Sequence, residues 1–223
     1  GEFYTRTLMT PFFNPGPNPH GDARILLAGV GELMTEVAGE VADGFICHGF
    51  TTRRYLDEVT LPHLEKGRTK AGKSMDGFEL MGPMFVLTGR DETEMAKAAV
   101  GVRQQIAFYG STPAYRKVLE LHGWGDLQDD LNRMSKEGRW KEMGDLVTDE
   151  ILEEFAVVAP RDEVAAALNE RWGDVLARLS FYAPYEADPT QWDQVIADLK
   201  AACPAPGPPS PPARRPSARV AMP

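Results

Sequence analysis

Apolar residues along this chain alternate between two periods. "RILLAGV" at 24–30 is a short apolar run closing on glycine, the length of a buried strand. Leu33, Val37 and Val41 then recur every fourth residue, which predicts a helix turning that face to the core. "GFICHGF" at 44–50 reads as a second strand. Tyr55, Leu56 and Val59 open another helix, which Pro62 is expected to kink or interrupt. "GFELMGPMFVLTG" reads as a third strand, and its Gly82-Pro83 step suggests a bulge. Met95, Ala99, Val102 and Ile106 then hold one face of a long helix. Further helices are predicted over 113–121, 127–137 and 148–156, and one starting at Pro160, with Asp162 and Glu163 at its positive end. "DVLARLSFYAP" is a fourth strand, and Asp188-Pro189 opens a last helix through Trp192, Val195, Ile196 and Leu199. Strands at 25–30, 44–50, 78–88 and 175–182 alternating with helices imply a parallel α/β sheet, either barrel or doubly wound.

The ends differ from this middle. Residues 1–24 hold four prolines and no helical period, which predicts an irregular lead-in. The segment 203–223 is rich in proline and carries three arginines and no acid, so it is expected to be a disordered, solvated tail. That leaves 25–202 as the folded unit. A net charge of -9 argues against a nucleic-acid partner. No apolar run approaches the roughly 20 residues that span a bilayer. Two cysteines, Cys47 and Cys203, make no disulfide scaffold and have no metal spacing, which points to a reducing cytoplasm and no metal. The chain opens at Gly1, inside a polar and aromatic segment, which suggests a processed or truncated product.

The chemistry centres on Gly29-Val30-Gly31. Two glycines between a strand end and a helix start let the backbone approach a ligand, and the free amides of the helix's first turn favour an anion such as phosphate. The same residues also suit a plain structural turn. A dinucleotide fingerprint is not met: Met34 stands where the third glycine belongs. The second strand ends in His48 and Gly49 rather than a ribose-binding acid, and Asp43 precedes it. Cys47 and His48 are neighbours on a strand and face opposite ways, which disfavours a Cys–His pair. His20, His63 and His122 fall in loop or helix-surface contexts. Arg53-Arg54 suits either an anionic substrate or an ordinary surface, and Trp124, Trp140, Trp172 and Trp192 are expected to pack.

"ILLAGVGELMTEVAGEVADGFICHGF" resembles a segment of luciferase-like monooxygenases, and "GEFYTRTLMTPFFNPGP" and "TRRYLDEVTLPHLEKGRTKAGK" resemble the branch that depends on coenzyme F420. The resemblance covers about 1–202. It implies the C-terminal half of a (β/α)8 TIM barrel, strands five to eight, with an elaborated helical insertion after the seventh. In such barrels the site lies at the carboxyl ends of the strands. That rule selects Ala28, Gly29, Val30 and Gly31 after the first strand, the stretch from His48 to Thr51 after the second, and Tyr182 after the last. The resemblance implies cofactor contact at Ala28, Gly29, Val30, Gly31 and His48, with F420 as cofactor and FMN as the alternative. The expected activity is hydride transfer or oxygen activation on a small organic substrate, with catalytic residues left unnamed because the family's come from the absent early strands. The expected partner is the missing N-terminal half-barrel or a second copy of the chain. The alternative is a non-catalytic half-barrel that binds a phosphate ligand or a partner.

Overall fold

The computed structural model of the chain describes residues 3–5, 10, 12, 16, 18–21 and 23–202. The tail expected over 203–223, with Cys203, lies outside these residues, as do many positions of the lead-in. Backbone contacts gather residues 25–202 into one unit, and every element below belongs to it.

Five parallel strands form one sheet: β1 (Leu26–Ala28), β2 (Gly44–Ile46), β3 (Glu79–Leu87), β4 (Ala156–Val158) and β5 (Arg178–Tyr182). Strand β3 is the hub. Its first part pairs with β2, with Glu79 opposite Gly44 and Met81 opposite Ile46. Its last part pairs with β4, and its middle with β5, where Met81 to Phe85 face Arg178 to Tyr182. The pairing runs unbroken through Gly82 and Pro83, so the expected bulge is absent. Those two residues fall where β2 has ended and β4 has not begun, and Pro83 therefore leaves no ladder bond on that side unmade.

Side chains alternate along β3, and two cores result. Leu80, Met84 and Val86 join Phe45, Leu64, Leu168 and Trp172 on one side. Phe85 and Leu87 join Phe50, Phe155 and the long insertion on the other. Helices α1 (Glu32–Val41), α3 (Leu61–Lys70), α9 (Val164–Trp172) and α10 (Gln191–Ala202) contribute to the first core. Helices α4 (Glu92–Gly110), α5 (Arg116–Leu121), α6 (Gly125–Lys136), α7 (Trp140–Met143) and α8 (Asp149–Phe155) contribute to the second. Each fully buried Leu, Ile, Phe or Trp on these faces contributes about 1.5–3 kcal/mol relative to leaving it in water.

Four expectations are corrected. The face of α1 marked by Leu33, Val37 and Val41 is not the core face; Thr35, Ala38 and Gly39 are buried instead. Pro62 does not end its helix, although the α ladder is interrupted just ahead of it: the short α2 (Arg53–Tyr55) runs through a π turn, Leu56–Thr60, into α3, where Pro62 is the second residue. The helix expected from Pro160 begins at Val164, with Asp162 and Glu163 ahead of it. Strand β4 was unforeseen; its first residue, Ala156, was expected to end a helix.

Helices α1 and α3 meet through glycine. A Cβ at Gly39 would lie 2.2 Å from the Leu64 carbonyl oxygen, and one at Gly67 would lie 1.9 Å from that of Glu36. The close approach is flanked by ion pairs Lys66–Glu36 and Lys70–Glu40, each 2.7 Å.

Candidate functional site

Beyond the carboxyl ends of β1 and β2 lies a narrow cleft that opens to solvent. One wall is the turn into α1. Gly31 takes φ 83 and ψ 155, a backbone region that essentially only glycine occupies. The Gly31 carbonyl accepts from the Thr35 N–H at 3.1 Å and from Thr35 Oγ1 at 2.9 Å. The amides of Glu32, Leu33 and Met34 lie ahead of the first intrahelical bond. Among the described residues none of the three donates to a protein acceptor. The two glycines differ in role. A Cβ at Gly29 would meet Met34 Cβ and Phe45 Cε2, both at 3.3 Å, whereas one at Gly31 would meet nothing within 4 Å. Gly29 permits packing; Gly31 supplies the bend and an open approach.

His48 forms part of the second wall. The Phe50 N–H donates to His48 Nδ1 at 3.0 Å, so Nδ1 is the unprotonated nitrogen. Nε2 therefore carries the proton and donates to Tyr115 Oη at 3.2 Å. The imidazole stacks on Tyr115 at 4.6 Å and meets Tyr109 edge-on at 4.8 Å. Burial pushes its pKa below the ordinary value, in keeping with a ring whose Nδ1 already accepts a hydrogen bond. His48 is thus a neutral donor at neutral pH. Cys47 also borders the cleft, but burial pushes its thiol up to about 12, which keeps it protonated and poorly nucleophilic.

The remaining walls come from the π turn and the insertion. Tyr55, Val59 and Thr60 line one side, and Ala114, Tyr115 and Val118 the other. The hydroxyls of Thr51 and Thr60 have no hydrogen-bond partner among the described residues. Charge is confined to the mouth. Glu32 pairs with Lys117 at 2.5 Å, and His63 Nε2 stands 3.5 Å from its carboxylate. The Lys117 contact holds the Glu32 carboxyl below the usual range. This pairing matters because an unpaired carboxylate beside the bare amides would repel an anion.

Of the residues selected from sequence, Gly29, Val30, Gly31 and His48 converge on the cleft. Ala28 does not. Its register partners are Ile46 and Met81, so it lies on the same sheet face as His48 but below the cleft, whose lining does not include it. Tyr182 stacks on Phe85 at 4.7 Å and shares a 2.8 Å hydroxyl contact with Tyr109, next to the cleft rather than in it. His122 is not on a surface: it stacks on Trp124 at 4.7 Å and meets Thr52 Oγ1 at 2.8 Å. Arg53 is engaged by Asp57 at 2.8 Å and Asp174 at 2.6 Å, which ties its helix to the turn after α9 and leaves it little freedom to steer a substrate. Among the described residues no group of three or more His, Cys, Asp or Glu side chains could hold a metal ion. No helix there is long and apolar enough to cross a membrane.

The sequence model of luciferase-like monooxygenases matches residues 1–178. The chain belongs to that family. It is 51% identical over 179 residues to an uncharacterized protein of Mycobacterium tuberculosis, which covers 80% of this chain and 53% of the relative. It is 29% identical over 165 residues to the 5,10-methylenetetrahydromethanopterin reductase of Archaeoglobus fulgidus, 71% of this chain and 46% of that enzyme. The fold is similar to the coenzyme F420-dependent tetrahydromethanopterin reductase from Methanopyrus kandleri, with a TM-score of 0.57 at 21% identity over 70% of this chain and 44% of that one. It also resembles an F420-dependent secondary alcohol dehydrogenase, with a TM-score of 0.56 at 15% identity, over 82% of this chain and 50% of the other. The chain of this family member thus spans about half the length of the relatives it matches.

Proposed function

We propose that this luciferase-like chain is strands five to eight of a (β/α)8 barrel, and that its cleft binds the anionic tail of coenzyme F420 in an oxidoreductase acting on a small organic substrate. The observation that carries the reading is the bend at Gly31, which leaves three amides bare at the edge of an otherwise neutral, aromatic cleft. Relatives named for F420 chemistry, an F420-dependent glucose-6-phosphate dehydrogenase among them, favour that cofactor over FMN, the alternative. The half-barrel reading is supported by Ala28, Ile46, Met81, Pro83, Arg178 and Ser180, none of which is fully buried, on the part of a sheet face that the insertion covering Phe85 and Leu87 does not reach. When bound, F420 supplies a ring that gives or takes a hydride, whereas reduced FMN supplies oxygen activation. The chain's own part is positional. The amides of Glu32, Leu33 and Met34 hold the anionic tail, and Lys117 neutralises Glu32 beside it. Thr51 and Thr60 donate to acceptors on the ligand, while Phe45, Phe50, Tyr55 and Val118 keep water out. His48 donates from Nε2 and takes up no proton at neutral pH.

Titrating F420 with purified chain and following its fluorescence tests this directly, with FMN as a parallel arm. A saturable change with F420, weakened in Gly31→Ala, is expected. Saturation only with FMN reassigns the cofactor. No change with either leaves the second reading, a non-catalytic half-barrel, which the outer edges of β1 and β5, unpaired among the described residues, favour.

A further inference from the structure

At the carboxyl ends of β3 and β4, away from the cleft, three buried polar atoms have no hydrogen-bond partner among the described residues: Thr88 Oγ1, Arg161 Nε and Gln191 Nε2. Thr88 is 2% exposed and Gln191 5%. The three belong to one cluster. The ladder between the strands runs on past their ends, where the Ala159 N–H donates to the Leu87 carbonyl at 3.1 Å and the Arg161 N–H to that of Gly89 at 3.2 Å. Alternation then keeps Thr88 with Val86, and Arg161 with Val157 and Ala159, on the face that α10 covers through Val195. Gln191 lies one turn before Val195, and its Oε1 accepts from Arg161 Nη2 at 2.8 Å. That bond fixes the amide, because a guanidinium only donates; Nε2 is left with its hydrogens unused.

Buried polar atoms are nearly always paired, and an arginine Nε or an amide nitrogen can only donate, so the partner this cluster lacks is an acceptor. Its charge calls for an anion. The ion pair of Arg161 with Glu94 is 3.9 Å long, and Arg90 already holds that carboxylate at 2.7 Å. A hollow lined by Gly89, Arg90, Arg161, Asp162, Gln194 and Asp198 opens the cluster to solvent. Its acids stand at the rim: Asp162 is exposed, and Asp198 accepts from Gln194 Nε2 at 2.7 Å. The first amides of α10 take no part, since those of Gln191, Trp192 and Asp193 donate to the carbonyls of Asp188, Pro189 and Thr190. We propose that this hollow binds a phosphate monoester. Its tetrahedral head takes the Thr88 hydroxyl, the Arg161 Nε–H and the Gln191 amide, while the rest of the molecule projects past Arg90 into solvent. Three acceptor oxygens match donors arriving from a strand end, a loop and a helix, which the two coplanar oxygens of a carboxylate do not. The inference rests on neither the cofactor nor the half-barrel.

Equilibrium dialysis of the purified chain against radiolabelled phosphate, at constant ionic strength, tests the site. Saturable uptake is expected, displaced by methyl phosphate but not by acetate, and unchanged in Gly31→Ala. Thr88→Val keeps the side-chain shape and removes only the unpartnered hydroxyl, so it should fold like the parent and weaken uptake about 3–10-fold. Gln191→Glu sets a carboxylate among the donors and should weaken uptake about tenfold or more. It should also hold or raise the melting temperature, because Arg161 gains a charged partner; a lower melting temperature with uptake intact makes Gln191 structural and overturns the assignment. Uptake that Gly31→Ala weakens and Thr88→Val leaves alone belongs to the cleft and overturns the location. Displacement by acetate as readily as by methyl phosphate overturns the ligand class. No saturable uptake leaves buried water as the acceptor and overturns the proposal outright.

Discussion

Replacing Gly67 by alanine is the sharpest probe of how the cleft is built. In an open helix the change stabilises by about 0.5–1 kcal/mol, because glycine loses more backbone entropy on folding. Here the added carbon would sit 1.9 Å from the Glu36 carbonyl oxygen, 2.9 Å from its carbon and 2.9 Å from the Glu40 nitrogen. All three are backbone atoms, so no rotamer change relieves the contact. An ordinary carbon–oxygen separation is about 3.2 Å or more, which requires α1 and α3 to move apart by more than about 1 Å. Overpacking of this kind costs about 1–3 kcal/mol and occasionally more, and it outweighs the entropic gain. A net loss of about 1–2 kcal/mol should lower the melting temperature by about 2–8 °C for a unit of this size. The displacement should also be felt at the ligand site, because α1 begins at Gly31 and α3 continues from the π turn that carries Val59 and Thr60. Thermal melts of Gly67→Ala and Gly39→Ala, read beside F420 titrations, check both effects. A melting temperature equal to or above that of the parent would refute the close-contact account of the helix pair.

Four further outcomes follow from the site. Gly31→Ala meets no atom within 4 Å but forces φ 83 on a residue with a Cβ, so it should cost about 1–3 kcal/mol by denaturation through backbone strain alone. Thr51→Val removes a hydroxyl that has no partner among the described residues, so stability should hold within about 0.5 kcal/mol while ligand affinity falls about 2–10-fold; unchanged affinity in a titration would remove Thr51 from the site. The imidazole of His48 is harder to protonate folded than unfolded, so its contribution is complete above about pH 6.5 and is lost as pH falls below that value. Urea midpoints taken from pH 7.5 to 5.5 should therefore fall, and less steeply in His48→Gln; identical slopes would refute the assignment. Cys47, with its thiol pushed up to about 12, should resist a disulfide reagent until the chain is unfolded, and rapid labelling of the native chain would contradict its burial.

Much of the architecture was legible because it rests on local pattern. The four main strands and the helices between them follow from runs and periods, and the glycine bend from its place between a strand and a helix. What escaped depended on neighbours. Period four at Leu33, Val37 and Val41 identifies a helix but not which of its faces the rest of the unit covers, and tight packing on α3 selected the small residues Ala38 and Gly39 instead. Strand β4 is three residues long and follows directly on α8, so no change of period announces it. Tyr115 reaches His48 only because the 19-residue α4 carries the chain out and the following turn brings it back, a contact 67 residues apart. His122 read as surface because its burial depends on Trp124 stacking over it and on Thr52 across the fold.

The π turn at Leu56–Thr60 makes the site sensitive to the number of residues and not only to their identity. A π turn is a helix with one residue to spare, so deleting a single residue there would restore ordinary α geometry. Everything on the N-terminal side would then rotate by about 100° and advance about 1.5 Å relative to α3. Tyr55 would swing away from the ligand wall, and Arg53 would lose its register with Asp174. A relative that differs here only by such a gap would share nearly every side chain with this protein and yet present a differently shaped opening to its ligand.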